Sequence, residues 1–129
     1  MQVYRNIKQM VQNIITEVSI TSAYNVFSFV VTQSGTSEPI IEEINNTFPV
    51  TWTCSRFSTG IYKVQSSAVA LPTVEGTWFI GGGRNFGGVE INVYYGGSDN
   101  FIIQTRLNGT LTDGLLTRTA FEVRDLKNS

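Results

Sequence analysis

The chain has 129 residues, enough for one domain whose hydrophobic core needs no disulfide or metal staple. A hydrophobic share of 41% with 15% charged residues excludes intrinsic disorder. Nine Lys and Arg against ten Asp and Glu leave a formal charge of -1, which offers no footprint for a phosphate backbone or an anionic membrane, so nucleic acid is not an expected partner.

Residues 3–18 differ from the rest. Val3, Ile7, Met10, Val11, Ile14, Ile15 and Val18 recur at spacings of three and four, with Arg5, Lys8, Gln9, Gln12, Asn13 and Thr16 between them, the pattern of an amphipathic helix. A lone helix of this length is marginal in water, so its stripe needs a cover. Two covers fit the pattern: the chain's own β-domain, or a bundle with the same helix from other subunits. Gln9, Gln12 and Asn13 break any signal-peptide core, and no window approaches the length of a membrane span, so a soluble protein with no membrane partner is expected.

From residue 23 the reading is all-β. Residues 24–32 put Phe27, Phe29 and Val31 on one face and Val26 and Val30 on the other, a central strand that needs cover on both sides. Pro39 heads a short edge strand with Ile40, Ile41 and Ile44 around Glu42 and Glu43. Residues 48–64 form the central hairpin. Phe48, Val50, Trp52 and Cys54 fall two apart on the core face, Gly60 turns the chain, and Tyr62 and Val64 share a face opposite Ile61. Trp78 marks the next strand, the run Gly81–Gly88 interrupts it as a hairpin tip, and Val89, Ile91, Val93 and Tyr95 alternate with Glu90, Asn92 and Tyr94. Strands at 101–107 and 119–124 follow, separated by a loop at 108–112. The pattern predicts an antiparallel β-sandwich or barrel of about eight strands with one N-terminal helix, divided as an attachment or oligomerisation segment at 1–22 and a β-domain at 23–129.

Chemistry is hard to place on this pattern. The absence of histidine removes the commonest metal ligand, the usual general base and every Ser-His or Cys-His arrangement. Cys54, the sole cysteine, cannot form an intramolecular disulfide and reads as a buried thiol beside Trp52. The glycine run does not match a dinucleotide or phosphate loop, because Phe86 stands where a glycine is needed and no Lys-Ser or Lys-Thr follows. It displays Arg84, Asn85 and Phe86 for contact with a protein or a glycan. Glu42 and Glu43 are adjacent and point apart, Glu90 and Glu122 read as solvent-facing, and Asp99 and Asp113 belong to Gly-rich turns. No metal site, cofactor or catalytic residue is expected. Tyr94 and Tyr95 beside Gly96 are placed to stack on a sugar or to pack half-buried.

Three stretches, VTQSGTSEP at 31–39, FPVTWTCSRFSTGIYKV at 48–64 and DGLLTRTAFEVRDL at 113–126, together resemble a group of small β-rich proteins encoded by tailed phages and prophages of Bacteroidetes-type bacteria. The similarity covers most of residues 26–126 and leaves out the N-terminal stripe. The resemblance implies a head fibre, decoration or other virion component, located in the virion, with other virion proteins as partners and no enzymatic activity. With the stripe as a seam, the expected state is a homo-oligomer, a trimer in preference to a dimer. The alternative from another class is a carbohydrate-binding or adhesin module reading sugars through Arg84, Phe86, Tyr94 and Tyr95.

Overall fold

The computed structural model describes residues 23–82 and 86–127. The amphipathic stripe at 3–18, with its seam residues, and Arg84 and Asn85 lie outside the described residues. Among the described residues there are nine strands: β1 (Tyr24–Thr32), β2 (Ile40–Asn46), β3 (Trp52–Ser58), β4 (Ile61–Ser66), β5 (Thr77–Gly81), β6 (Val89–Gly97), β7 (Asn100–Leu107), β8 (Thr110–Leu111) and β9 (Thr119–Leu126). All pairings are antiparallel. A four-stranded sheet runs β2-β1-β9-β5, and a five-stranded sheet runs β3-β4-β7-β6 with β8 joined to the end of β7.

The two sheets meet through their alternating apolar sets. Phe27, Phe29, Val31, Phe121 and Val123 from the four-stranded sheet are buried against Trp52, Tyr62, Val64, Ile91, Phe101 and Ile103 from the other. Aromatic rings do much of the joining, since each removes a large apolar area from water and adds a favourable ring geometry. Trp52 stacks on Phe27 at 5.1 Å with 6° between planes, Phe29 lies 5.9 Å from Phe101, and Phe79 lies 5.3 Å from Phe101. The inward face of β1, with Phe27, Phe29 and Val31, is buried, while Val26 and Val30 on its outward face are only partly covered among the described residues.

Three details depart from the sequence reading. The first arm of the central hairpin enters its strand only at Trp52, because the Asn46 amide accepts from Phe48 N–H and donates to the Val50 carbonyl, bending residues 46–50 into a turn. Phe48 and Val50 still reach the core, at 5% and 9% exposure. A ninth strand, β8, lies in the segment read as loop, where Leu111 pairs with Arg106 and Thr110 with Leu107.

The third departure is the glycine run, which is no hairpin tip. It carries the chain from β5 in one sheet to β6 in the other. The crossing passes so close to the core that a Cβ on Gly82 would stand 2.7 Å from the Phe121 ring and 3.0 Å from Ile91, at a φ of +66° that disfavours side chains. The glycines there are a condition of closing the sandwich.

Trp52 is the ring on which the hairpin's placement turns. Its indole N–H is buried without a hydrogen-bond partner among the described residues, so its contribution is packing. Trp52→Ala should cost about 3–5 kcal/mol in urea unfolding, and Trp52→Phe, which keeps a ring against Phe27 and Phe48, distinctly less. A soluble Trp52→Ala protein of wild-type stability would refute this account of the core.

Candidate functional site

The densest polar constellation among the described residues centres on Asp113, in the segment between β8 and β9. Arg56 and Tyr62 face each other across β3 and β4 on the inward side. The β3–β4 turn brings Gly60 beside them. Arg56 donates to Asp113 Oδ2 from Nε at 3.1 Å and from Nη2 at 2.8 Å, and Gly60 N–H donates to Oδ1 at 2.9 Å. The Tyr62 phenol proton lies between Asp113 Oδ1 at 2.7 Å and Gln33 Oε1 at 2.9 Å, and that Gln33 oxygen also accepts Gly114 N–H. Gln33 closes the other side by donating from Nε2 to the carbonyls of Gly35 and Ser37.

The electrostatics of this cluster are those of a clasp. The Arg56 hydrogen bonds outweigh burial and, with Gly60 and Tyr62 adding to them, bring the Asp113 carboxyl down to about 2. Burial first, and then Asp113, push the Tyr62 phenol well above its ordinary value. A carboxylate this acidic is a poor proton acceptor near neutrality, and the phenol beside it is not activated. The thiol of Cys54, half-buried on the inward side of β3, is pushed up to about 12 by burial, which keeps it protonated and unreactive.

A second arrangement is open to solvent. On the outer face of the five-stranded sheet the register aligns Ser55, Lys63, Ile102 and Tyr94 across β3, β4, β7 and β6. A β-bulge after Arg56 leaves Phe57 on the same face, 74% exposed. Phe57, Ile61, Lys63, Ile102 and Tyr94 border a groove of about 480 Å³ that ends at Gly96 and Asn100. Its two aromatic rims stand on strands three spacings apart, about 14 Å.

The residues nominated from sequence do not gather into one surface. Tyr94 and Tyr95 point to opposite faces of β6, and Tyr95 packs inward with its hydroxyl donating to the Leu71 carbonyl at 2.7 Å. A paired tyrosine platform is therefore ruled out by the alternation of the strand. Phe86 is 78% exposed in the inter-sheet crossing and does not border the groove. Glu122, read as solvent-facing, accepts from Ser28 Oγ at 2.6 Å and from Arg124, and these bonds hold its carboxyl below the usual range. Glu42, Glu43 and Glu90 are exposed. Sequence reasoning missed Phe57, although the alternation from Trp52 already sets it on the outer face, and Arg56, whose partner lies 57 positions away.

Asp113→Ala should cost about 3 kcal/mol, because the buried Tyr62 and the partly buried Arg56 would be left without their acceptor, whereas Tyr62→Phe should cost about 1 kcal/mol. The folded carboxyl lies below its unfolded value near 3.9, so its contribution is complete above about pH 4 and disappears as pH falls through about 2. Acid unfolding followed by circular dichroism should lose this component in Asp113→Asn; superimposable profiles would refute it. In comparisons with known proteins, no family model, no curated protein and no solved structure matches the chain.

Proposed function

We propose that the chain is a non-enzymatic structural component of a phage particle, a head fibre, decoration or similar assembly protein. The observation that carries this reading is the division of labour between its side chains. The strongly interacting ionisable groups, Arg56, Asp113 and Tyr62, are saturated by one another and hold loops together. The exposed surface instead offers large apolar groups, with Phe57, Ile40 and Ile44 all more than 60% exposed, of the kind that protein contacts cover. The resemblance of the 31–39, 48–64 and 113–126 stretches to phage-encoded β-rich proteins supports the same reading. Mass spectrometry of density-purified particles of the encoding phage should find the chain at the abundance of a structural protein. Its recovery only from the soluble lysate would overturn the assignment.

A second reading, a carbohydrate-binding or adhesin module, is favoured by the groove on the five-stranded sheet. Aromatic rings at Phe57 and Tyr94 offer apolar faces to sugar C–H groups, and Lys63 and Asn100 offer polar contacts between and beside them. Tyr95 also lines the groove, but its ring packs inward and its hydroxyl is bound to the Leu71 carbonyl. On a glycan array, this reading expects binding that falls at least tenfold in both Phe57→Ala and Tyr94→Ala. No binding above background by the wild-type chain would exclude it and leave the groove as a protein contact.

A further inference from the structure

The groove on the five-stranded sheet holds a single charge. Lys63 is the only charged side chain that borders it, and the rest of its lining is aromatic, aliphatic, glycine and the Asn100 amide. Lys63 stands on β4 in register with Ser55 on one side and Ile102 on the other, between the strands that carry Phe57 and Tyr94. It is half-buried, and no ion pair among the described residues includes it. The acidic groups of the same face stand apart from it. Glu90 lies opposite Arg106, two outward-facing rows beyond Tyr94 and Ile102. Asp99, in the turn between β6 and β7, accepts from the Asn100 amide at 2.8 Å, and Lys63 contributes least among the influences that hold its carboxyl below the usual range.

On an edge strand a lysine has a use of its own, since its charge deters pairing with other chains. β4 is an interior strand, where that use is absent. Amide side chains flank the groove on both sides, Gln65 opposite Asn100 in one neighbouring row and Gln104 opposite Asn92 in the other. An amide both donates and accepts, as sugar hydroxyls require.

We propose that the groove takes an acidic oligosaccharide, whose carboxylate or sulfate sits on Lys63 while its sugar rings lie against Phe57 and Tyr94. The inference rests on the carbohydrate-binding reading above and names the ligand class for that site. Three strand spacings, about 14 Å, separate the two rims, farther than one sugar ring reaches, so the ligand is a chain and not a single sugar. The ammonium of Lys63 gives an anionic group charge-assisted hydrogen bonds at the middle of that chain. An acidic peptide would answer the charge as well, but it brings neither the C–H faces that the two rings suit nor the hydroxyls that the amides suit.

The test is an array of carboxylated, sulfated and neutral glycans, probed with the full chain and with Lys63→Gln, Lys63→Arg and Phe57→Ala. Binding should be confined to the acidic glycans, fall about tenfold in Lys63→Gln, and stay close to the wild-type level in Lys63→Arg. Raising the salt should weaken wild-type binding and have little effect on what remains in Lys63→Gln. Phe57→Ala should lose binding to every glycan. Equal binding of neutral and acidic glycans, or wild-type binding by Lys63→Gln, would overturn the acidic ligand and leave the carbohydrate-binding reading standing. No binding to any glycan would overturn both. A poly-glutamate peptide that binds as tightly as the best acidic glycan would overturn the proposal in favour of a protein partner.

Discussion

The carboxylate of Asp113 is the point at which otherwise separate pieces of this molecule are tied. It accepts from β3 through Arg56, from the β3–β4 turn through Gly60 and from β4 through Tyr62. Through the shared oxygen of Gln33 the same cluster reaches the end of β1 in the other sheet, where Gln33 N–H also donates to the Leu116 carbonyl. Apolar packing between two sheets sets their separation but is tolerant of sliding. A fully satisfied polar cluster at one end is directional, and it fixes how the sheets sit over each other. Removing its acceptor leaves the buried Tyr62 hydroxyl and the partly exposed Arg56 without their shared partner.

That cluster holds strongly perturbed ionisable groups, and they are turned toward one another. Perturbed groups mark function when they face a cavity that a substrate can enter. Here the donors and acceptors face one another, and none of Arg56, Tyr62 or Asp113 borders a groove. The features open to solvent are of a different kind, a groove between Phe57 and Tyr94 and a second one bordered by Ile44 and Ile80. Both are sheet faces.

What was legible in the sequence was the side of the sheet that each residue takes. A period of two is fixed by backbone geometry, so Phe27 with Phe29, Trp52 with Cys54, and Ile91 with Val93 were assigned correctly without knowledge of any neighbour. Which strand lies beside which was not legible, since alternation carries no information about partners. The pairing of β1 with β9, more than a hundred positions apart at Tyr24 and Leu126, has no local signal. The glycine run failed for a related reason: flexibility at Gly81–Gly88 is equally suited to a turn within one sheet and a passage between two, and only the nearness of Phe121 decides. Asp113 beside Gly114 has the composition of countless turns, and its partners come from residues more than fifty positions earlier. At Tyr94 and Tyr95 the alternation already separated the two rings, and their adjacency in sequence was the misleading cue.

The strand order also imposes a schedule. In the five-stranded sheet, β3 with β4 and β6 with β7 are neighbours both in sequence and in space, so their hairpins can pair as soon as they are made. In the four-stranded sheet only β1 with β2 is such a pair: β9 is an interior strand, flanked by β1 and β5, and without it those two have no common partner. During synthesis, the hairpins can therefore pair while the facing edges of β1 and β5 wait unpaired until Thr119–Leu126 has left the ribosome. The interval is one in which the unpaired edge of an aromatic strand is open to other chains.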